Sequence, residues 1–280
     1  MKFLITSVRT GDTEIFAVTP ETGDAINLSR SPASEDRYPC WSTDAKHVAF
    51  TSNRDDGHYN LFVMDADGAN VRQFTHGEAV SYMPCWVGDR IVFGLHGERP
   101  EIASINDDGS NLQILGPGHD PCLSPDGQRI AFTGETPGGV AVWVMKADGT
   151  DRRKLTEANP WGAVFPSWSP DGQKIVYAEK VGETLELFTI GADGSNPTQL
   201  THLKAIATPP AWSPDGKWIS FRLTDERYWS DKKRVEEVYA QRPSDKRPVW
   251  VIHPDGSDAH VIECLRFQCA MDGSRAAWRP

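Results

Sequence analysis

A repeated cassette is the feature that most constrains the fold of this chain. Its clearest copy, residues 166–202, reads Pro-Ser-Trp, a Ser-Pro-Asp-Gly turn, an alternating apolar run, a polar loop, a second apolar run, an Asp-Gly turn and a closing Gln-Leu-Thr. Related copies begin at Pro39, Pro84, Pro121 and Pro210. Short β-type runs separated by tight-turn residues predict that each copy forms a small antiparallel sheet of four strands.

The spacing of the copies predicts how these sheets are arranged. The aromatic or leucine position that follows the opening proline recurs at Trp41, Trp86, Leu123, Trp168 and Trp212, at separations of 45, 37, 45 and 44 residues. A period near 40 with four strands per copy is typical of a β-propeller, in which each repeat is one blade. Packing of blade on blade by these side chains would supply the core.

The two ends of the chain complement each other. Residues 3–29 resemble the second, third and fourth strands of a copy, whereas Ala276–Pro280 (AAWRP) resemble the first strand alone. We therefore expect the C-terminal strand 276–280 to pair with the N-terminal strands 3–29, with Trp278 as the sixth member of the series. The predicted fold class is all-β, a six-bladed β-propeller closed by this pairing, which hides edge strands.

The repeats leave no room for a linker, so we expect one propeller domain over residues 1–280. An insertion of about 223–248 interrupts the last complete blade. The spacing of apolar residues over Arg227–Gln241 permits a short amphipathic helix. The insertion is either a lid or partner-docking element or a solvated excursion that folds over its own blade, and the sequence leaves both open.

Composition excludes two classes of partner. The net charge of −10 and the pI near 5.3 argue against nucleic acid, because phosphate binding needs clustered Lys and Arg. No run of 18 apolar residues is present, which argues against a membrane span. Residues 1–8 are too short and too polar for a signal peptide, so we expect a cytoplasmic monomer, or a periplasmic one if a signal peptide has been removed.

Three of the five cysteines, Cys40, Cys85 and Cys122, directly precede the recurring Trp or Leu, where the other copies have Ser or Ala. A position that accepts only Cys, Ser or Ala indicates small volume near a crowded axis, although thiol ligands are the alternative. Cys264 and Cys269 lie five positions apart and could pair, but an odd cysteine count favours free thiols.

The Asp-Gly motifs allow two interpretations. A calcium loop needs several carboxylates at alternating positions and a closing Glu, and only the copy with Asp65 and Asp67 approaches this pattern. A hairpin turn needs only a turn-tolerant residue followed by Gly at positive φ, which is what repeats. We therefore interpret both the Asp-Gly and the Ser-Pro-Asp-Gly motifs as turns that lie together at one end of the propeller.

Loops at the other end vary between copies, and binding residues are usually placed on such loops. Each copy has a Cys, Ser or Ala directly before the recurring Trp or Leu. Shortly before that small residue, the copies carry different pairs of polar and aromatic residues, which we expect at the mouth of the central channel. This mixture suits a polar ligand such as a sugar or a carboxylate, although the same residues could merely plug the channel. The candidate ligand-binding residues are Arg37, Tyr38, Tyr82, His119, Asp120, Trp161, Phe165, Arg222 and Arg275.

Catalytic motifs are sparse. The eight histidines form no H-E-x-x-H, no Cys-x-x-Cys is present, and no glycine-rich phosphate loop follows a strand. Five histidines fall on the variable loops, so three of them could meet at a channel metal ion, but chance placement explains them as well. They are His58, His76, His96, His119 and His202. We assign no catalytic residue, and no cofactor is required, although a metal ion in the channel is possible.

The pattern P-x-W-S-P-D-G-x-x-I-A-F followed by L-x-V-M-x-A-D-G resembles the WD40-like propeller repeat of the TolB family, most closely at Ser124–Gly127, Ser169–Gly172 and Ser213–Gly216. The resemblance covers only the propeller part of that family; its N-terminal α/β domain has no counterpart here. It implies a non-enzymatic module that binds a protein segment or a small polar ligand. The alternative is a carbohydrate-active lyase or hydrolase with a metal or His/Asp/Arg site in the funnel.

Overall fold

β-Strands make up all the regular structure in the residues that the computed structural model describes, which are 3–7, 10–19, 22, 24–160, 162–224, 249–261 and 277–278. The strands, in chain order, are β1 (Phe3–Ser7), β2 (Glu14–Thr19), β3 (Asp24–Asn27), β4 (Asp36–Trp41), β5 (His47–Ser52), β6 (Asn60–Asp65), β7 (Arg72–Gln73), β8 (Val80–Val87), β9 (Arg90–His96), β10 (Pro100–Asn106), β11 (Gln113–Pro117), β12 (His119–Leu123), β13 (Arg129–Thr136), β14 (Gly139–Lys146), β15 (Arg153–Lys154), β16 (Ala163–Trp168), β17 (Lys174–Val181), β18 (Thr184–Gly191), β19 (Thr198–Gln199), β20 (Ile206–Ala207), β21 (Ala211–Trp212), β22 (Ile219–Thr224), β23 (Val249–Ile252), β24 (His260–Val261) and β25 (Ala277–Trp278).

The strands fall into groups of four that follow the sequence repeats. Group 1 is β25-β1-β2-β3, group 2 is β4 to β7, group 3 is β8 to β11 and group 4 is β12 to β15. Group 5 (β16 to β19) and group 6 (β21 to β24) belong to one nine-stranded sheet, because β20 pairs in parallel with β18 and antiparallel with β22. In group 1, Phe3 pairs with Trp278 and Leu4 with Ala277.

Serine and aspartate side chains build the turns between first and second strands. The hydroxyl of Ser169 donates to Oδ1 of Asp171 at 2.6 Å and accepts the backbone N–H of Lys174 at 2.9 Å. Gly172 completes the turn at a φ of 67°. The same bonds recur at Ser42, Ser124 and Ser213. The predicted turns are thus confirmed, because side-chain oxygens satisfy backbone donors that a tight turn leaves without a strand partner.

A threonine or serine hydroxyl closes the fourth strand of several groups. In group 5, the backbone N–H of Leu187 donates to Oγ1 of Thr201 at 2.8 Å, and the N–H of Leu200 donates to the Leu187 carbonyl at 2.7 Å. Ser29, Thr75 and Thr156 accept equivalent bonds in groups 1, 2 and 4. The recurring Leu-Thr end of the cassette therefore continues the pairing where the short fourth strand stops.

The hydrophobic core lies between successive groups. Each of six buried clusters joins residues of two neighbouring groups, and each contains one member of the recurring Trp or Leu series. Trp41 packs between groups 1 and 2, and Trp168 between groups 4 and 5. Trp278 packs with Val249 and Val251, so one cluster joins group 6 to group 1. The predicted packing role of this series is confirmed.

Second and third strands extend further than the sequence predicted. The sequence predicts the loops between second and third strands at residues 51–60, 94–101, 133–140 and 178–184, but β9 reaches His96 and β10 begins at Pro100, for example. The proposed insertion also starts later, since Leu223 and Thr224 still pair with β20. Backbone pairing across these hairpins continues as long as both strands stay extended, regardless of polar side chains. Residues 225–248, with the predicted helix, lie outside the described residues, as do Cys264 and Cys269.

The serine-linked turns predict a pH dependence of stability. The hydrogen bond from Ser169, followed by that from the Gln173 N–H, lowers the pKa of Asp171 below its usual value of 3.8. A carboxylate with a depressed pKa in the folded state stabilises fully above its unfolded pKa, and this contribution is lost as pH falls through the folded pKa. We expect Asp171→Asn to lower the urea midpoint more at about pH 6 than at about pH 2.5, because the difference shrinks as pH falls toward and through the folded pKa.

Urea unfolding followed by circular dichroism at both pH values checks this expectation. Glu157→Gln removes one exposed carboxylate without touching a turn and controls for the change in net charge. An Asp171→Asn midpoint that stays lower by the same amount at both pH values would contradict the assigned cause.

Candidate binding site at the inner-strand bulges

A β-bulge interrupts the first strand of groups 2 to 5. The pairing register shifts between Arg37 and Cys40, Tyr82 and Cys85, His119 and Cys122, and Val164 and Ser167. The second residue of each bulge has a φ between 49° and 56°, at Tyr38, Met83, Asp120 and Phe165. Bulges redirect side chains and are frequent next to functional sites. These residues were expected on loops. They lie instead within β4, β8, β12 and β16, because each first strand already pairs with the second strand before the bulge.

Tyr82 occupies the centre of the site. Its ring lies against Gly94, where a Cβ atom would come within 2.3 Å of the Tyr82 Cζ atom. The same position of the second strand is Thr51 in group 2 and Thr133 in group 4, so only glycine leaves room for this ring. Burial, followed by the charges of Asp120 and Tyr38, raises the pKa of the Tyr82 phenol. Its hydroxyl therefore stays protonated and can donate a hydrogen bond.

Thr133 connects the carboxylate of group 4 to the backbone of group 5. Its hydroxyl donates to Oδ2 of Asp120 at 3.2 Å and accepts the N–H of Phe165 at 3.3 Å. Asp120 is 8% exposed. These bonds join groups 4 and 5, and Tyr82 of group 3 lies close enough to Asp120 and to Tyr38 of group 2 for their charges to raise its pKa. We call this set the inner arc, and its members are Tyr38, Tyr82, Asp120, Thr133 and Phe165.

Two predicted residues interact outside the inner arc. Arg37 forms an ion pair with Glu35, and its guanidinium lies 5.2 Å from the centre of the Tyr59 ring. Tyr59 donates its own hydrogen bond to Glu35. His119 Nε2 lies 3.7 Å from Oε1 of the exposed Glu135. Arg37 thus belongs to a separate cluster, which weakens the earlier expectation of a carboxylate ligand.

Three predicted residues remain, and the structure describes one of them. Arg222 is 5% exposed in β22, and its carbonyl accepts the N–H of Thr208 at 2.9 Å. Trp161 and Arg275 lie outside the described residues. The five loop histidines are all described, but among the described residues no three His, Cys, Asp or Glu side chains come together as a metal site.

Sequence reasoning missed Gly94, which leaves room for the Tyr82 ring, and Thr133, which bonds to Asp120 and Phe165. The sequence did contain a signal for Gly94. At the aligned position of the second strand, groups 2 to 6 carry Thr, Gly, Thr, Ala and Arg in turn, and only group 3 combines Gly there with a Tyr before its bulge. Thr51 and Thr208 also have buried hydroxyls without a hydrogen-bond partner among the described residues. Such groups provide polar contacts for a ligand or for water.

A cavity of about 1080 Å³ lies at the opposite, turn end of the strands. Group 3 has the two-residue turn Gly88–Asp89 where its neighbours have five residues between the same strands, and the turns at Thr43 and Pro125 flank the gap. Its charged lining consists of Arg90, Arg129, Lys146, Arg153, Asp89, Asp126, Asp148 and Asp151. Equal numbers of cations and carboxylates give no preferred ligand charge, so the inner arc remains the candidate site.

Comparison with known proteins agrees with this architecture. The model of the TolB beta propeller domain matches residues 1–160 and 100–232. A 118-residue stretch is 34% identical to the Tol-Pal system protein TolB of Anaeromyxobacter dehalogenans (strain 2CP-C), covering 40% of this chain and 27% of that protein. The match thus spans about a quarter of the relative's length. These relatives give no support to the cytoplasmic expectation.

Two solved structures share the fold at low sequence identity. The putative TolB from Agrobacterium tumefaciens superposes with a TM-score of 0.74 at 17% identity, over 92% of this chain and 88% of that one. An oligogalacturonate lyase from Vibrio parahaemolyticus gives 0.61 at 15% identity, over 93% of this chain and 73% of that one. At such identities the likeness shows the fold alone.

No helix in the described part of the chain is long and apolar enough to cross a membrane. The matched family model covers most of the chain, and both the strand groups and the recurring tryptophans agree with a propeller. This chain therefore belongs to the TolB beta propeller domain family.

Proposed function

We propose that this chain is a non-enzymatic binding domain, a closed six-bladed propeller that receives a protein segment at the inner arc. The observation that carries the proposal is the inner arc itself. Four successive strand groups, each at its own bulge, place two phenols, a carboxylate bonded to a threonine hydroxyl, and an aromatic ring at the bulge positions of their first strands.

Ring closure is supported by the distribution of the core. Six clusters connect six groups in sequence, and the last cluster joins group 6 back to group 1 through Trp278. In this arrangement residues 1–280 form one domain, and the inner strands surround a central channel. The bulges lie at the starts of these strands, so the inner arc would face the channel mouth that is opposite the turn end.

The chemistry of the inner arc suits an extended protein segment. Tyr82 and Tyr38 offer hydroxyls and ring faces, Asp120 accepts hydrogen bonds, and Phe165 adds apolar area. Aromatic rings with polar ends are the residues that dominate protein–protein recognition, because they bury much area at low entropic cost. The relatives are named as proteins of the Tol-Pal system, which agrees with a role in protein association.

A selection experiment tests this proposal. The purified chain is screened against a displayed library of random peptides and, in parallel, against an array of oligosaccharides including uronic-acid oligomers. We expect selected peptides to bind with affinities that isothermal titration calorimetry can measure. Gly94→Thr should weaken that binding at least about tenfold, because the new side chain displaces the Tyr82 ring. Asp120→Asn should weaken it by a similar factor.

Matched variants make the result specific. Asp148→Asn changes a carboxylate at the turn end and should leave peptide affinity unchanged, and the double variant Tyr82→Ala/Gly94→Thr tests whether the loss comes from the displaced ring. Thr is accommodated at the position of Gly94 in groups 2 and 4, so the fold should persist. Peptide binding that is indifferent to Gly94→Thr and Asp120→Asn would overturn the assignment of the site. Binding or cleavage of oligosaccharides alone would favour the carbohydrate-active alternative.

A further inference from the structure

Three cysteines occupy one aligned position on the first strands of groups 2, 3 and 4. Cys40 and Cys85 are partly buried and Cys122 is buried. The Sγ atoms of Cys85 and Cys122 lie 3.9 Å apart, although these residues come from different sheets. The next group has Ser167 at this position, and group 6 has Ala211. A requirement for small volume explains all of these residues, but it does not explain why three adjacent positions carry sulfur.

The sulfur–sulfur distance fits a shared metal ion. Two sulfurs bound to one ion at about 2.3 Å each can lie no more than about 4.6 Å apart, and the observed 3.9 Å is within that reach. The backbone N–H of Leu123 donates to the Cys85 Sγ atom at 3.2 Å, and such outer contacts orient a ligand sulfur and stabilise its negative charge. The pair therefore has both the spacing and the supporting donor of a thiolate site.

The surroundings select the type of ion. Cys122 packs against Ala131, Val142 and Trp168, and Cys85 packs against the neighbouring apolar cluster of Leu123 and Ile130. No carboxylate or imidazole joins the two sulfurs in a group of three or more ligands among the described residues. Hard divalent ions require such oxygen ligands, whereas a soft monovalent ion is satisfied by thiolates in apolar surroundings.

We propose that Cys85 and Cys122 form a binding site for a soft monovalent metal ion of the Cu(I) class. On binding, each thiol loses its proton to solvent and forms one sulfur–metal bond, so one ion replaces two protons and no electron is transferred. The partly exposed Cys85 gives the ion access, and the buried Cys122 completes the coordination. This inference is independent of the proposed protein binding at the inner arc.

Protonation of the metal-free pair provides a direct readout. A thiol must lose its proton before its sulfur binds a metal ion, so coordination by both cysteines releases protons to solvent. Proton release then distinguishes thiolate coordination from loose adsorption of the ion.

The experiment titrates the reduced chain anaerobically with Cu(I), supplied as its acetonitrile complex, in competition with a chromophoric Cu(I) chelator. We expect one ion per chain, two protons released per ion, and a higher thermal midpoint, because the ion binds the folded state. Cys85→Ser and Cys122→Ser should each weaken binding at least about a hundredfold through the lost ligand. Serine occupies this position in group 5, so these variants should fold, which circular dichroism verifies.

Two further variants locate the site. The double variant Cys264→Ser/Cys269→Ser should keep full stoichiometric binding and proton release, and Cys40→Ser should also keep one ion per chain. The proposal is overturned if the unmodified chain binds no stoichiometric Cu(I). It is equally overturned if binding survives in Cys85→Ser/Cys122→Ser, or if the Cys264→Ser/Cys269→Ser variant loses it.

Discussion

Trp278→Ala is expected to lower the free energy of unfolding by about 3–5 kcal/mol, the cost of removing a large buried aromatic side chain. The Trp278 ring is 9% exposed, and its centre lies 4.1 Å from the centre of the Phe3 ring. Its Nε1 donates to the hydroxyl of Ser220 in group 6 at 3.1 Å. One side chain thus joins the C-terminal strand, the N-terminal strand and the neighbouring group, so its loss should weaken all three contacts together.

Urea unfolding followed by circular dichroism measures this effect. Trp278→Phe keeps most of the apolar contact with Phe3 but removes the hydrogen bond to Ser220, and it should cost about 1–2 kcal/mol. Phe3→Ala tests the other side of the same contact and should approach the effect of Trp278→Ala. If Trp278→Ala unfolds at the same urea concentration as the unmodified chain, the pairing of β25 with β1 does not hold the two ends together, and the proposed ring closure fails with it.

Arg54→Met is expected to destabilise the chain by about 3–5 kcal/mol, because it leaves a buried carboxylate without its cation. Asp36 is fully buried, and its Oδ1 lies 3.0 Å from Nη2 of Arg54. The guanidinium also lies over the rings of Phe50 and Phe62, at 5.0 and 5.4 Å. Methionine preserves much of this apolar contact, so the measured loss reports mainly the uncompensated charge.

A compensated variant separates the charge from the packing. Asp36→Leu/Arg54→Met removes both charges and should recover most of the lost stability, since desolvation no longer opposes folding. Lys154→Met breaks an exposed pair with Glu157, 3.2 Å apart, and should change stability by less than about 1 kcal/mol. If Arg54→Met and Lys154→Met lower the urea midpoint equally, burial does not make the Asp36–Arg54 pair more important for stability than an exposed pair.

The repeat pattern was sufficient to predict the turns and the core. Each Ser-Pro-Asp-Gly or Asp-Gly motif is a local structure whose bonds join residues within about five positions, so the sequence alone determines it. The recurring Trp and Leu positions follow strand alternation, and all six pack between groups, five of them buried and Trp212 partly buried. The strand ends were predicted too early because polar composition does not terminate backbone pairing in a hairpin.

The positions of the candidate binding residues were only partly predictable. Their placement on loops was wrong, because a bulge after one to three paired residues cannot be inferred from residue type alone. Sequence also grouped Arg37 with Tyr38, whereas the structure directs Arg37 to Glu35 and Tyr59. Adjacent residues on a strand point to opposite faces, so neighbours in sequence separate in space.

The sequence by itself determined the all-β class, the repeating four-strand unit, the turns and the side chains that pack between units. Only the tertiary structure decided which side chains meet across different units: Thr133 of group 4 accepts the N–H of Phe165 of group 5, and Cys85 of group 3 lies beside Cys122 of group 4. The physical reason is distance along the chain. Turns and alternation arise from interactions between near neighbours, whereas the inner arc and the thiol pair depend on how separately formed sheets pack around one another.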